Sequence, residues 1–156
     1  MERKNFLKEK VPEKHCQNNV WIVKPEAQNQ GRGIELFRQL KDIESFLAAK
    51  PVSSSWIVQK CIERPLLYYG RKFDVRMWVL VTPQFDVFYY RKAYMRTSSY
   101  EYNSLKLQQV VQLTNNCFQK KTEQYQKFED GNSLPLSKLQ EFLDESETYR
   151  QYAVDV

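Results

Sequence analysis

The sequence has few of the residues that build metal sites or cross-linked scaffolds. It has one histidine, His15, which has only Cys16 beside it, and its three cysteines lie far apart with no CxxC pair. A structural zinc site needs about four such ligands at close spacing, so zinc binding is not expected. An odd number of scattered cysteines instead suits reduced thiols in a cytoplasmic protein.

Long apolar runs and glycine-rich nucleotide motifs are also missing. No stretch approaches ~20 apolar residues, and the first twenty residues contain no apolar signal core. These absences predict a soluble intracellular protein with no membrane partner. There are only four glycines, and neither GxxxxGK[ST] nor GxGxxG occurs, which excludes a P-loop and a dinucleotide fingerprint.

The composition fits one globular unit or a piece of a larger one. The chain has 156 residues, of which 42% are hydrophobic and 14% aromatic, so there is material for a core. The net charge of +5 favours acidic partners, which could be nucleic acid, an anionic membrane, a nucleotide or an acidic peptide. Glutamates interrupt the basic clusters, unlike in a dedicated nucleic-acid tail.

Apolar periodicity predicts a mixed α/β fold rather than regular βαβ alternation. The alternating and short apolar runs predict strands at 20–23, 56–62, 73–82, 86–91 and 110–113. Helical spacing predicts helices at 35–50 and 136–152, and residues 1–19 form a polar lead-in. The third and fourth strands are close enough to form a hairpin.

The strongest predicted strand carries a row of alternating charges. Lys72, Asp74 and Arg76 share one face at period two, while Phe73 and Val75 face the other side. A buried charged row must be paired or bound to a charged ligand, such as a nucleotide phosphate with its magnesium. The alternative is an exposed row of ion pairs on a one-sided sheet.

Other polar residues at strand ends could take part in a ligand site. Lys24 precedes a loop with a Gly-Arg-Gly tripeptide that could cradle an anion or be a plain turn. Gln59 and Lys60 end a strand whose backbone could read a purine or simply be an edge. Arg96 could bind a carboxylate with two parallel hydrogen bonds. Thr114 and Asn115 could border the same site or cap a following helix.

The order of these segments resembles the tubulin tyrosine ligase-like family. The strings WIVKP, GRGI, IVQKCIERPLL, RKFDVRMWVLV, YYRKAYMRTSS and LTNNCFQK follow one another over about residues 20–143. The later stretch QKFEDGNSLPLSKLQEFL is more similar to the tyrosine ligase than to the polyglutamylating members. Residues 20–156 are accordingly interpreted as the central part of the family's ATP-grasp domain.

The resemblance implies an ATP-dependent ligase that acts in the cytoplasm on microtubules, with the cilium as an alternative location. ATP and Mg²⁺ would be the cofactors, with a free amino acid and the acidic C-terminal tail of tubulin as partners, joined through an acyl phosphate. The resemblance also implies that cofactor-binding residues are Lys24, Gln59, Lys60, Ile62, Lys72, Asp74, Thr114 and Asn115. Arg76 and Arg96 would hold the substrate carboxylates as catalytic residues.

Two departures from the family pattern qualify this expectation. Gln112 stands where the family has histidine before Leu-Thr-Asn, and glutamine cannot become cationic. No residue of this chain matches the family's magnesium ligands, so they are expected in a C-terminal part that the sequence lacks. A truncated, non-catalytic protein that binds nucleotide or tubulin therefore stays an alternative. A basic nucleic-acid-binding module is a weaker one, because aromatics do not line one face of the main strand.

Overall fold

A computed structural model describes residues 18–149 and contains three small antiparallel sheets. The predicted lead-in falls almost entirely outside the described residues. The first sheet has the strand order β2-β1-β3. Its strands are β1 (Trp21–Pro25), β2 (Glu35–Phe37) and β3 (Trp56–Lys60). The strand predicted at 20–23 is confirmed, and the one predicted at 56–62 ends two residues earlier.

The helix predicted at 35–50 is shorter than expected and begins later. Residues Glu35–Phe37 instead pair with β1, and α1 covers only Leu40–Ala48. A short apolar run fits either period, and here the ladder to β1 satisfies its backbone groups. Ile43 of α1 is fully buried, and Phe46 packs against Phe37 and Trp56 with both ring centroid distances at 5.2 Å.

The second sheet has the strand order β4-β5-β8-β9 and supports most of the candidate site. Its strands are β4 (Leu67–Tyr68), β5 (Arg71–Arg76), β8 (Tyr94–Glu101) and β9 (Ser133–Pro135). Tyr69 and Gly70 join β4 to β5 as a two-residue turn, and both have positive φ, of 44° and 76°. This is the geometry of a hairpin turn that matches the twist of its strands.

The strand predicted at 73–82 is two strands in two different sheets. After β5 the chain turns at Met77 and Trp78 and continues as β6 (Val79–Val81), which within residues 18–149 pairs with β7 (Val87–Tyr89) alone. The predicted hairpin is therefore confirmed, but as a separate two-stranded ribbon. Its apolar side chains are exposed on both faces.

Short helices follow β8 and complete the described chain. The strand predicted at 110–113 is wrong: residues Gln109–Gln112 form α2, with Leu113 N–H bonded to the Gln109 carbonyl at 2.8 Å. Next come α3 (Asn116–Gln119), a 3₁₀ turn (Asp130–Asn132) and α4 (Ser137–Glu145). The last helix is shorter than the predicted 136–152, whose final three residues lie outside the description, and its apolar side is only half-buried.

The buried core lies under both larger sheets and is rich in polar groups. The buried apolar side chains next to the first sheet are those of Val20, Val23 and Ile43. Those next to the second sheet are Met95 and Val111. Three consecutive residues of β8, at 97–99, are also fully buried, although all are hydroxyl-bearing. No helix in the part of the chain that the structure describes is long and apolar enough to cross a membrane.

Candidate functional site

Asp74 is bound by two side chains from separate segments of the chain. It lies opposite Arg96 in the register of β5 and β8, and Arg96 Nε donates a hydrogen bond to Asp74 Oδ1 at 2.8 Å. The hydroxyl of Thr114, between α2 and α3, donates to the other carboxylate oxygen, Oδ2. The structure therefore brings three of the predicted site residues together.

Lys72 lies on the same strand but has no acidic partner among residues 18–149. Its Nζ is 3.4 Å from Gln112 Oε1, which is a weak contact, and 5.6 Å from the ring centroid of Tyr102. Burial lowers the pKa of Lys72, although nearby Cys61 acts in the opposite direction. A buried ammonium without a counter-charge is costly, so the surroundings of Lys72 favour an anionic ligand.

Arg76 does not belong to the buried row that the sequence predicts. Lys72 and Asp74 are partly buried, but Arg76 is exposed at the last position of β5, where the chain turns away. Among the described residues Arg76 has no ion pair. The ion pair of Asp74 and Arg96 is the kind of contact that the alternative interpretation of this strand predicted.

Lys24 and Gln59 form a second polar pair on the first sheet. Lys24 Nζ donates to Gln59 Oε1 at 2.9 Å across β1 and β3. Neither side chain forms a hydrogen bond or ion pair with the Asp74 group in the described part of the chain. The predicted site residues thus fall into two groups on two sheets.

The end of β3 lies between these two groups. Lys60 binds Glu63 and, at 2.9 Å, the Val20 carbonyl, so its ammonium is already engaged. Burial raises the pKa of the Cys61 thiol, and the charges of Lys72 and Lys60 oppose that rise, which places Cys61 near both lysines. The predicted backbone role of Lys60 is compatible with this arrangement, and the side chain of Ile62 is largely exposed.

The Gly-Arg-Gly loop packs against the segment that carries Thr114. A Cβ built on Gly31 would be 3.6 Å from Phe118 and 3.9 Å from Leu113, and Gly31 has φ of +77°. Asn115 Oδ1 accepts a hydrogen bond from Cys117 N–H at 2.9 Å. Asn115 therefore caps α3, as one of the two interpretations predicted, whereas the Thr114 hydroxyl points to Asp74.

Gln112 occupies the position where the family resemblance expects histidine. It is buried in α2, with its amide oxygen toward Lys72, and it is hydrogen-bonded to Tyr102. Burial raises the pKa of Tyr102, and the bond with Gln112 acts against that rise. A neutral amide suits this place because a second cation beside Lys72 would be repelled.

Two buried anchors next to the site were not predicted from the sequence. Arg71 forms a two-pronged ion pair with Glu129, with distances of 2.7 and 2.9 Å, and its guanidinium lies over the Phe128 ring at 4.2 Å. Glu63 accepts the amides of Asn18 and Val20 as well as Lys60. Only the spacing of Lys60 and Glu63 is visible in the sequence, because Arg71 and Glu129 are 58 positions apart.

The described residues supply no obvious metal centre. Within residues 18–149 no group of three or more histidine, cysteine, aspartate and glutamate side chains converges on a point where a metal ion could bind. Both oxygens of Asp74 are already engaged by Arg96 and Thr114.

The antiparallel sheets, the flanking helices and the charged groups on two sheets define the class of the protein. This mixed α/β arrangement is consistent with part of an ATP-grasp-like fold, as the sequence predicts. The chain belongs to the tubulin-tyrosine ligase family, whose sequence model matches residues 1–154.

Curated relatives agree with this family assignment. Tubulin monoglycylase TTLL3 of Homo sapiens is 43% identical over 110 residues, which are 67% of this chain and 14% of that protein. Tubulin glycylase 3D of Tetrahymena thermophila is 38% identical over 142 residues, which are 87% of this chain and 14% of that protein. Tubulin glycylase 3A of Drosophila melanogaster is 44% identical over 106 residues, 66% of this chain and 11% of that protein.

The chain thus spans only about one seventh of the length of the first of these relatives.

Proposed function

We propose that this chain forms a nucleotide-facing part of an ATP-dependent ligase that joins an amino acid to the C-terminal tail of tubulin. The observation that carries the proposal is the half-buried Lys72 ammonium, which has no acidic partner in residues 18–149 and lies on the strand of Asp74. Family membership and relatives named as tubulin glycylases support it.

Lys72 is the residue best suited to bind a phosphate of ATP. A phosphate would supply the missing counter-charge and would remove the cost of burying an unpaired ammonium. ATP would transfer its terminal phosphoryl group to the acceptor carboxylate and leave as ADP. The amine of the amino acid would then attack the acyl phosphate, lose a proton and release inorganic phosphate. Lys24 with Gln59, the backbone near Lys60 and Ile62, and the polar group of Asp74, Thr114 and Asn115 would complete the nucleotide site.

Arg96 and Arg76 are proposed to bind the substrate carboxylates. Arg96 uses only Nε on Asp74 within the described residues, which leaves its two terminal nitrogens for a carboxylate. Asp74 would hold this guanidinium in place, and Thr114 would hold Asp74. Exposed Arg76 could meet a carboxylate without displacing a partner, and the net charge of +5 favours the approach of an acidic tail.

Glycine is our first choice for the transferred amino acid. The relatives described above are named as glycylases, whereas the stretch at 126–143 resembles the tyrosine ligase. We propose that the protein works on microtubules in the cytoplasm or the cilium. Mg²⁺ would accompany ATP, held by residues outside the described part.

Calorimetric titration of ATP into the chain tests the nucleotide site directly. Saturable binding to the wild type, with an affinity that is at least about tenfold lower in Lys72→Met, would support the proposal. The variant loses a charge-assisted contact to phosphate. Unchanged affinity in that variant would contradict the assignment of Lys72. The control is Lys41→Met, at an exposed position of α1.

A transfer assay distinguishes the ligase from its alternatives. The chain and ATP with magnesium would be incubated with a tubulin-tail peptide and labelled glycine, tyrosine or glutamate. Labelled peptide would support a ligase and identify the amino acid. ATP binding without transfer would favour the non-catalytic binding protein. Binding of single-stranded nucleic acid instead of ATP would favour the nucleic-acid-binding module.

A further inference from the structure

Gln119 is a fully buried polar residue that the proposed chemistry does not use. It is the last residue of α3, and its side chain has 0% exposure. Its Oε1 accepts the Ser99 N–H of β8 at 2.9 Å. Its Nε2 donates to the Val110 carbonyl at 3.1 Å and also to the Leu113 carbonyl.

Among the twenty side chains, only a carboxamide of this length satisfies these three groups. The site offers one N–H on one side and two carbonyls on the other, so it needs one acceptor and two donors on the same planar group. A carboxylate would place negative charge against both carbonyls. An apolar side chain would leave three buried backbone groups unpaired, at a cost for each.

The two carbonyls that Gln119 binds belong to α2 and to the residue before Thr114. The Val110 carbonyl also accepts the Ser98 hydroxyl at 3.1 Å, so this segment is attached to β8 directly through Ser98 and indirectly through Gln119, which binds Ser99. The Leu113 carbonyl belongs to the peptide group that joins Leu113 to Thr114. A hydrogen bond to this carbonyl therefore restricts the position of the Thr114 backbone nitrogen. Arg96, the second partner of Asp74, belongs to the same strand as Ser98 and Ser99.

We propose that Gln119 is a positioning residue for the nucleotide site. By tying the Leu113 carbonyl to the middle of β8, Gln119 holds the Thr114 hydroxyl on Asp74 Oδ2 while Arg96 holds Oδ1. The carboxylate is then fixed from both sides, which keeps Asp74 and Thr114 in place at the proposed nucleotide site. This inference rests on the proposed function, because its main readout is ATP affinity.

A double-mutant cycle with Gln119→Glu and Thr114→Val tests this route. If Gln119 acts through Thr114, each single variant weakens ATP binding by about tenfold, and the double variant is no weaker than the weaker single one. Gln119→Glu should also lower thermal stability, because it leaves the Val110 and Leu113 carbonyls without a donor. The same loss of thermal stability is expected in the Thr114→Val background, since those carbonyls are unpaired there too. Losses of affinity that multiply in the double variant would overturn the proposal.

Two controls separate positioning from general damage. Gln84→Glu makes the same chemical change at an exposed position of the ribbon turn and should leave affinity and stability unchanged. Thr114→Ser keeps the hydroxyl and should restore most of the affinity that Thr114→Val loses. Failure of serine to restore it would overturn the role of the hydroxyl.

A nuclear magnetic resonance measurement covers the cases in which Gln119→Glu does not fold or the chain does not bind ATP. If Gln119→Glu is unfolded, the measurement uses the other two proteins. ATP should shift the Gln119 side-chain amide resonances in the wild type and should not shift them in Thr114→Val. No shift in the wild type overturns the proposal. If the wild type binds no ATP, the proposed function fails by itself. In that case the inference is tested on the methyl resonance of Thr114. If Gln119 positions Thr114, this resonance has a different chemical shift in Gln119→Glu than in the wild type. An unchanged chemical shift overturns the inference.

Discussion

Lys72 shows how a single side chain can favour ligand binding over stability. Its ammonium is half-buried, its contact with the amide oxygen of Gln112 is a long 3.4 Å, and burial lowers its pKa. A group of this kind destabilises the ligand-free chain and stabilises a complex with an anion. The effect on stability and the effect on anion binding can both be measured on one variant of Lys72.

Lys72→Met should raise the stability of the ligand-free chain while it weakens ATP binding. Methionine fills a similar volume without a charge, so a gain of about 1 kcal/mol in the free energy of unfolding is expected. Because the folded-state pKa of Lys72 is lowered, the cost of its charge is present at neutral pH and declines as the pH rises toward 10.5. Urea denaturation at several pH values should show the gap between variant and wild type narrowing as pH rises.

Glu63→Gln should destabilise the chain by about 3 kcal/mol, because it leaves buried donors without a charged acceptor. Burial of Glu63 acts to raise its pKa, but the bonds from Lys60 and from the amides of Asn18 and Val20 prevail and lower it. The stability that Glu63 contributes is therefore present above its ordinary pKa of 4.5 and is lost as the pH falls through the folded value.

Thermal unfolding between neutral and acidic pH measures this effect of Glu63. The difference between wild type and Glu63→Gln should shrink in acid. An equal loss in Glu44→Gln, at an exposed position of α1, would contradict the explanation.

At the scale of secondary-structure elements, the wrong predictions of helix and strand fall on short apolar runs. Residues 35–37 and 110–113 are compatible with a helix or a strand, and pairing with β1 made the first a strand. The second became α2, in which the Val110 carbonyl is bound by both Ser98 and Gln119. The strand at 73–82 was predicted from alternation alone, which contains no information about which partner each half has.

Gly70→Ala should weaken the turn between β4 and β5 by about 1 kcal/mol, the cost of a left-handed backbone for an L-residue. Gly70 has φ of +76°, and nothing lies within 4 Å of a Cβ placed there, so the cost is purely conformational. Gly70→Asn should cost less, because asparagine tolerates this region. Urea denaturation of both variants measures the difference; equal losses would point to another cause.

At the scale of the molecule, the ribbon of β6 and β7 is the feature that the rest of the described chain does not explain. The cross-strand pair Leu80 and Phe88 is 64% and 57% exposed on one face. On the other face Val79 and Tyr89 are 55% and 65% exposed. A ribbon with two open apolar faces is expected to bind apolar probes.

The chain should therefore bind a hydrophobic dye and associate with itself at high concentration. Replacing Leu80 by Glu and Phe88 by Lys puts an ion pair on one face and should reduce both signals severalfold. Val52→Glu changes a fully exposed apolar residue outside the ribbon and serves as the control. Dye fluorescence and sedimentation measure the effect; equal reduction by the control variant would contradict the role of the ribbon.

The sequence by itself determined the mixed α/β class, β1, β3, the hairpin and the polar face of β5. These features depend on local periodicity and on neighbours close in the chain, which the order of residues contains. The family followed from the order of its motifs. The resemblance also named Lys72, Asp74, Arg96 and Thr114 in advance as candidate site residues, and the structure joins the last three.

Only the tertiary structure decided how those residues meet. It placed Thr114 on Asp74 across 40 positions of sequence, left Arg76 in solvent and separated Lys24 and Gln59 onto another sheet. It also chose the partners of Arg71 and Gln119. The physical reason is that a buried polar group must find its partner in space, and sequence separation does not determine which partners the fold brings within hydrogen-bond distance.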